Sequence, residues 1–243
     1  MVSRMKFTFD SYKNLISKIL QKGYTLTNYS DYQKHEMPCI LRHDVDMDLQ
    51  MAEKFAKFET DNNIKSTYYI LLSSELYNVC SKRSTESISN ILGGGHSIGL
   101  HFDEVKYDRQ LEKCESIEEK IEMIKKYINN EVQILSMLIG HEVSTVSMHR
   151  PSRFVLEADI QMPCIINSYS KRFFEDFKYI SDSKMHWRED VEQIVEGREY
   201  KALHILTHPF WYYKENKNID LCMNEWFSMK SDSIYDTMKE VLL

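Results

Sequence analysis

The stretch "CILRHDVDMD", residues 39–48, opens on apolar residues and closes on a knot of charge. Cys39, Ile40 and Leu41 begin as a buried strand begins, and Arg42, His43, Asp44, Asp46 and Asp48 follow within seven positions. Asp44 and Asp46 are two apart, so on a continuing strand both side chains share one face. Carboxylates held that close raise each other's pKa unless a cation or an arginine stands between them. A divalent metal would answer for one of the pair, and Arg150 for the other. The blander reading is a solvated loop whose acids favour the start of the next helix, and Asp48 fits an N-cap or first-turn place.

Working outward, apolar periodicity alternates between helix and strand. Tyr12, Leu15, Ile16, Ile19 and Leu20 predict a helix over 9–22, ended by Gly23. Strands are expected at 38–46, 66–73, 96–103, 143–150, 164–170, 178–183 and 202–209. Helical patterns fall at 48–62, before Gly93, Gly94 and Gly95, through 108–138, and from about 230 to the end. Such alternation implies βαβ units and a parallel sheet, because a parallel crossover needs a covering helix. Seven strands in 243 residues fit an α/β protein with a closed or nearly closed barrel over 38–243, and residues 1–37 a helical prelude packed on it. "GGGH" lacks GxGxxG order and precedes a strand, so it is a turn and not a nucleotide loop.

Composition narrows the partners. With 42% apolar and 28% charged residues the chain is ordinary globular protein. A net charge of −6 argues against nucleic acid or an anionic membrane, which need a basic face. No apolar run reaches the ~20 residues of a membrane helix, and the amino-terminal residues do not read as a secretion signal. The five cysteines are scattered without CxxC spacing and read as reduced thiols, so a cytoplasmic protein is expected. Oligomeric state is not legible.

The ends of the strands carry the chemistry. In a (β/α) barrel the active site forms at the C-terminal ends of the strands. Those ends bring Asp44 and Asp46, His101 and Asp103, His149 and Arg150, Asp182 and Ser183, and His208. Taken singly, each has a blander reading as a core, capping or surface residue.

"LRHDVD", "GHSIGLHFD", "SMHRPS", "YISDSKMHW" and "LHILTHP", in this order, resemble the polysaccharide deacetylase (NodB-homology, carbohydrate esterase 4-like) family. The closest resemblance is to its LRHDVD branch, associated with surface-polysaccharide synthesis. It covers roughly residues 38–210 and implies a distorted (β/α)7-type barrel and metal-dependent hydrolysis of an N-acetyl group on a sugar. By the same resemblance Asp44 is the general base and Asp46 a metal ligand. His101 is a second ligand, Arg150 the arginine that holds the base carboxylate, and His208 the general acid. Asp182, Ser183 and Trp187 fall where the family lines its substrate groove.

One departure stands out: the family's second motif carries another histidine four residues on, where this chain has Val105. His149 is the first choice for the missing ligand, since it lies beside Arg150 on the same rim. Asp103 is second, and His96, at the far end of its strand, is last. Two histidines and an aspartate suit Zn2+. An amino-sugar substrate is expected, and a cytoplasmic enzyme would meet it as a nucleotide- or lipid-linked glycan precursor. Two other functions stay open: a metal-free amidohydrolase or deformylase on a small amide, and a non-catalytic carbohydrate-binding protein. In "HPFWYY" (208–213), Phe210 is expected in the core.

Overall fold

A computed structural model of the chain describes residues 5–243, so the first four residues of the prelude lie outside the described residues. Eight strands form one sheet: β1 (Thr25–Thr27), β2 (Pro38–Val45), β3 (Thr67–Leu71), β4 (Ser97–Phe102), β5 (Thr145–Met148), β6 (Ile166–Asn167), β7 (Lys178–Ser181) and β8 (Leu203–Thr207). Their order is β6-β5-β4-β3-β2-β8-β7, and every pair is parallel. Among the described residues no ladder joins β6 to β7. The sheet is therefore a curled half-barrel, the distorted (β/α)7-type α/β architecture expected from the strand pattern and the resemblance.

All seven expected strands form, most of them trimmed at the ends. Residues 164–170 shrink to the two of β6, because the Asn167 side chain accepts from the Tyr169 backbone N–H at 2.9 Å and bends the chain into a turn. β1 escaped the sequence reading: three residues carry too little alternation to register. It pairs with Pro38–Ile40 of β2, on the edge that β3 takes over at Arg42. The helix expected over 108–138 is broken. A single turn at Asp108–Leu111 precedes the helix Ile117–Ile139, which starts where Ser116 accepts from the Glu119 N–H at 3.0 Å. The last helix, Ile219–Leu242, begins earlier than expected because Asn218 caps it.

β2 is buried along its whole length, as a parallel strand covered on both faces must be. Its residues alternate between two interiors. Cys39, Leu41 and Val45 join the main core, and Ile40 joins Tyr29, Tyr69, Phe173, Phe177 and Ala202 in a separate plug. Asp48 ends the loop beyond β2 as the N-cap of the helix Leu49–Asp61, accepting from the Met51 N–H at 2.8 Å. It also accepts from Trp226 Nε1 at 2.9 Å and pairs with Lys230 at 2.6 Å, which seats the last helix.

The outward side of β2 meets a wholly buried carboxylate, Glu59 of the helix Leu49–Asp61. Glu59 accepts from Tyr12 (2.6 Å), Ser66 (2.6 Å) and Tyr68 (2.7 Å), and lies 3.0 Å from His43 Nε2. Burial alone would raise its pKa, but His43 and the surrounding donors pull it down to about 2. The helix Phe9–Gln21 is thereby tied to the sheet through Tyr12.

Candidate active site

Arg42, Asp44 and Asp46 follow one another at every second residue, so the strand and its continuation present them on one side. Asp44 is nearly wholly buried, and its Oδ2 accepts from Arg42 Nη2 at 2.7 Å. Arg42 also donates to Ser147 Oγ at 2.7 Å and Ser168 Oγ at 2.9 Å, and its guanidinium lies over the rings of Tyr69 and Tyr169. Burial would raise the Asp44 carboxyl; Arg42, with His101 and His208 behind it, overrides that and holds it below the ordinary carboxylate range.

This corrects one expected role. The arginine on Asp44 is Arg42 and not Arg150, which stands exposed in left-handed backbone at φ 46° and makes no ion pair among the described residues. A side chain two residues upstream on the same strand face needs no turn to reach the carboxylate. The signal was in the quoted stretch, as the i, i+2 spacing of Arg42 and Asp44.

Asp46, His101 and His149 come together at the strand ends. The three ligand atoms form a nearly equilateral triangle. Asp46 Oδ1 lies 3.1 Å from His101 Nε2 and 3.4 Å from His149 Nδ1, and the two ring nitrogens are 3.2 Å apart. Tetrahedral coordination at ~2.0–2.1 Å would set ligand atoms ~3.3 Å apart. Asp46 Oδ1 is buried and has no hydrogen-bond partner, although two imidazole nitrogens face it. That is the arrangement expected when the donors aim at a common point instead of at one another. The residues therefore fit a divalent metal.

The other ligand candidates lie elsewhere. Val105 is 58% exposed. Asp103 turns back to accept from the Val105 N–H at 3.2 Å. His96 is held under the helix Leu49–Asp61, against Ser66 Oγ (3.1 Å) and Thr60 Oγ1 (3.0 Å).

Across the triangle, His208 Nε2 lies 3.7 Å from Asp46 Oδ2, and His208 Nδ1 lies 2.6 Å from Asp182 Oδ1. Burial works against the imidazolium, but Asp182, with Asp46 and Asp44 beyond it, raises the His208 pKa to about 9. Asp182 is wholly buried, so it orients His208 and does not line a groove. Trp187 is likewise buried, in the main core, and lines no substrate groove. Ser183 is half-buried and bonds Ser181 at 2.7 Å. The aromatic at the rim is Trp211, its ring 6.1 Å from that of His208. Phe210 is in the core, as expected. Asp46 is 27% exposed, His149 12% and His208 11%, so the cluster opens to solvent on this side while Asp44 and His101 form its floor.

Fold and site together define an α/β half-barrel with an Asp–His–His cluster flanked by the Asp44 carboxylate and the His208 imidazole. No family model and no curated protein matches the chain. Among solved structures the chain is similar to CE4-family proteins. A Streptococcus mutans CE4 esterase matches at TM-score 0.49 and 12% identity, over 74% of this chain and 77% of that one. The Streptococcus pyogenes deacetylase PplD, in complex with acetate, matches at TM-score 0.43 and 11% identity, over 82% and 80%. BA3943, a CE4-family pseudoenzyme from Bacillus anthracis, matches at TM-score 0.44 and 14% identity, over 80% and 61%. Among the described residues no helix is long and apolar enough to cross a membrane.

Proposed function

We propose that the protein is a metal-dependent hydrolase that removes an N-acetyl group from an amino sugar, with Asp44 as general base and His208 as general acid. The observation that carries this reading is the triangle of Asp46, His101 and His149 set between Asp44 and His208. The donor set suits Zn2+. When bound, a divalent metal supplies Lewis-acid polarisation of the amide carbonyl and brings the pKa of water towards neutrality. Asp44, kept ionised by Arg42, takes the proton of the attacking water. His208, fixed through Nδ1 by Asp182, presents Nε2 to the leaving nitrogen and protonates it as the C–N bond breaks. Trp211 offers a flat face for the sugar ring at the rim.

The test begins with metal. Protein purified without chelator should carry about one equivalent of zinc, and His101→Ala and His149→Ala should each lose it, as read by elemental mass spectrometry. Zinc retained in the His149 variant would remove that residue from the ligand set. Acetate release is then measured on free N-acetylhexosamine, nucleotide-linked and lipid-linked N-acetyl sugars, and polymer. The finer reading, a linked glycan precursor met in the cytoplasm, requires the linked sugars to be the better substrates.

The acid makes a separate prediction. His208 must be protonated to act, and Asp182, 2.6 Å from its Nδ1, raises its pKa, so turnover should fall with rising pH along an alkaline limb that lies above the ordinary imidazole range. Asp182→Asn removes the anion that raises this pKa, so the alkaline limb of a kcat–pH profile should move down towards the ordinary imidazole range. An unmoved limb would separate His208 from the observed ionisation.

A further inference from the structure

The loop after β4 holds no ligand at Val105, yet its neighbour Glu104 is only 6% exposed and, among the described residues, forms no ion pair, which is unusual for a carboxylate. Both its oxygens go to one residue. Oε1 accepts from the Ser152 backbone N–H, and Oε2 accepts from Ser152 Oγ at 3.0 Å. Ser152 in turn caps the short helix Arg153–Ala158. Three residues before it, the His149 N–H donates to the Phe102 carbonyl at 2.7 Å. The segment 149–152 is thus gripped at both ends, by Phe102 at the end of β4 and by Glu104 in the loop after it. Between the grips the chain turns through the left-handed Arg150, a conformation that is costly for a non-glycine residue and persists only when its surroundings impose it.

We infer that Glu104 is a positioning residue for His149: it clamps the segment that delivers this ligand and so sets the affinity of the centre for its metal. The inference rests on the metal site proposed above. The loop that carries no second histidine of its own contributes the side chain that fixes the histidine brought by β5. Removing a group that orients a metal ligand typically weakens metal binding 10–100-fold.

The experiment titrates Co2+ into chelator-stripped wild type, Glu104→Gln, Glu104→Asp, Glu104→Ala and His149→Ala, reading affinity and the visible ligand-field band. The thermal midpoint of each metal-free protein is measured alongside. The Glu104→Gln variant keeps an oxygen for the Ser152 N–H and gains an amide N–H for the Ser152 hydroxyl, so it should bind as wild type does. Glu104→Ala should bind roughly 10–100-fold more weakly with an altered band. Glu104→Asp withdraws the carboxylate by one methylene and should weaken binding several-fold, which keeps the test alive if Glu104→Ala does not fold. Wild-type affinity and an unchanged band in folded Glu104→Asp or Glu104→Ala, with binding lost in His149→Ala, would overturn the inference and leave the metal centre standing. No binding by wild type would instead bring down the centre itself, and this role with it.

Discussion

Asp44→Asn is expected to lower acetate release by roughly 10²–10⁴ while the protein keeps its metal, because general-base catalysis contributes about that much. The substitution is nearly isosteric, and the amide oxygen still accepts from Arg42 Nη2, now 2.7 Å from Asp44 Oδ2. It removes the capacity to take a proton, together with the negative charge that faces Arg42. Asp44 lies 3.7 Å from His101 Nε2 and outside the Asp46–His101–His149 triangle, so it neighbours the metal position without belonging to the ligand set. Asp46→Asn should behave differently, losing metal and activity together. An Asp44→Asn protein with full turnover would end the proposed mechanism, whatever its metal content.

The largest effect on stability is expected at Glu59. A pKa drawn down from 4.5 to about 2 in the folded state corresponds to a stabilisation on the order of 3 kcal/mol at neutral pH. Glu59→Gln keeps the shape but cannot serve Tyr12, Ser66, Tyr68 and His43 as acceptor together, so it should lose about that amount, or about 6–12 °C in thermal midpoint. The sign of the pH dependence follows from the depressed pKa. The contribution is complete above the unfolded value of 4.5 and fades as pH falls towards 2. Wild type and variant should therefore differ at pH 7 and converge in acid. A constant gap across that range would mean that Glu59 acts through packing and not through its charge.

Much of the architecture was legible because parallel strands buried on both faces leave apolar runs, and five of the seven runs ended in ionisable groups. Length was the limit. β1 and β6 are three and two residues long, too short for a period to register. The break before Ile117 carried a local signal, Ser116 followed three residues later by Glu119, but the apolar stripe on either side concealed it. In the site, strand-end positions offered Asp44, Asp46, His101, His149 and His208 together with Asp103, Arg150, Asp182 and Ser183, and the family resemblance divided roles among them. The roles of Arg42 and Asp182 are not legible in the sequence, because what they do depends on which side chain they face. Asp182 is read from its 2.6 Å approach to His208. Glu104 left no trace in the sequence, since its partner lies 48 residues away.

The two-sidedness of β2 bears on how the chain finds its fold. Its register is fixed by Arg42 and Asp44 on one face and His43 on the other, so a slip of one residue would exchange the faces and strand charges against unsuitable partners. Mispaired intermediates are thereby penalised on both sides at once. The cost is delay: β2 pairs with Thr67–Ile70 and with Leu203–Thr207, so its second edge stays open until the last strand has been made. Contacts of such long sequence separation slow folding. The half-built barrel, with its most charged strand unpaired on one edge, is the species that a nascent chain must hold soluble the longest.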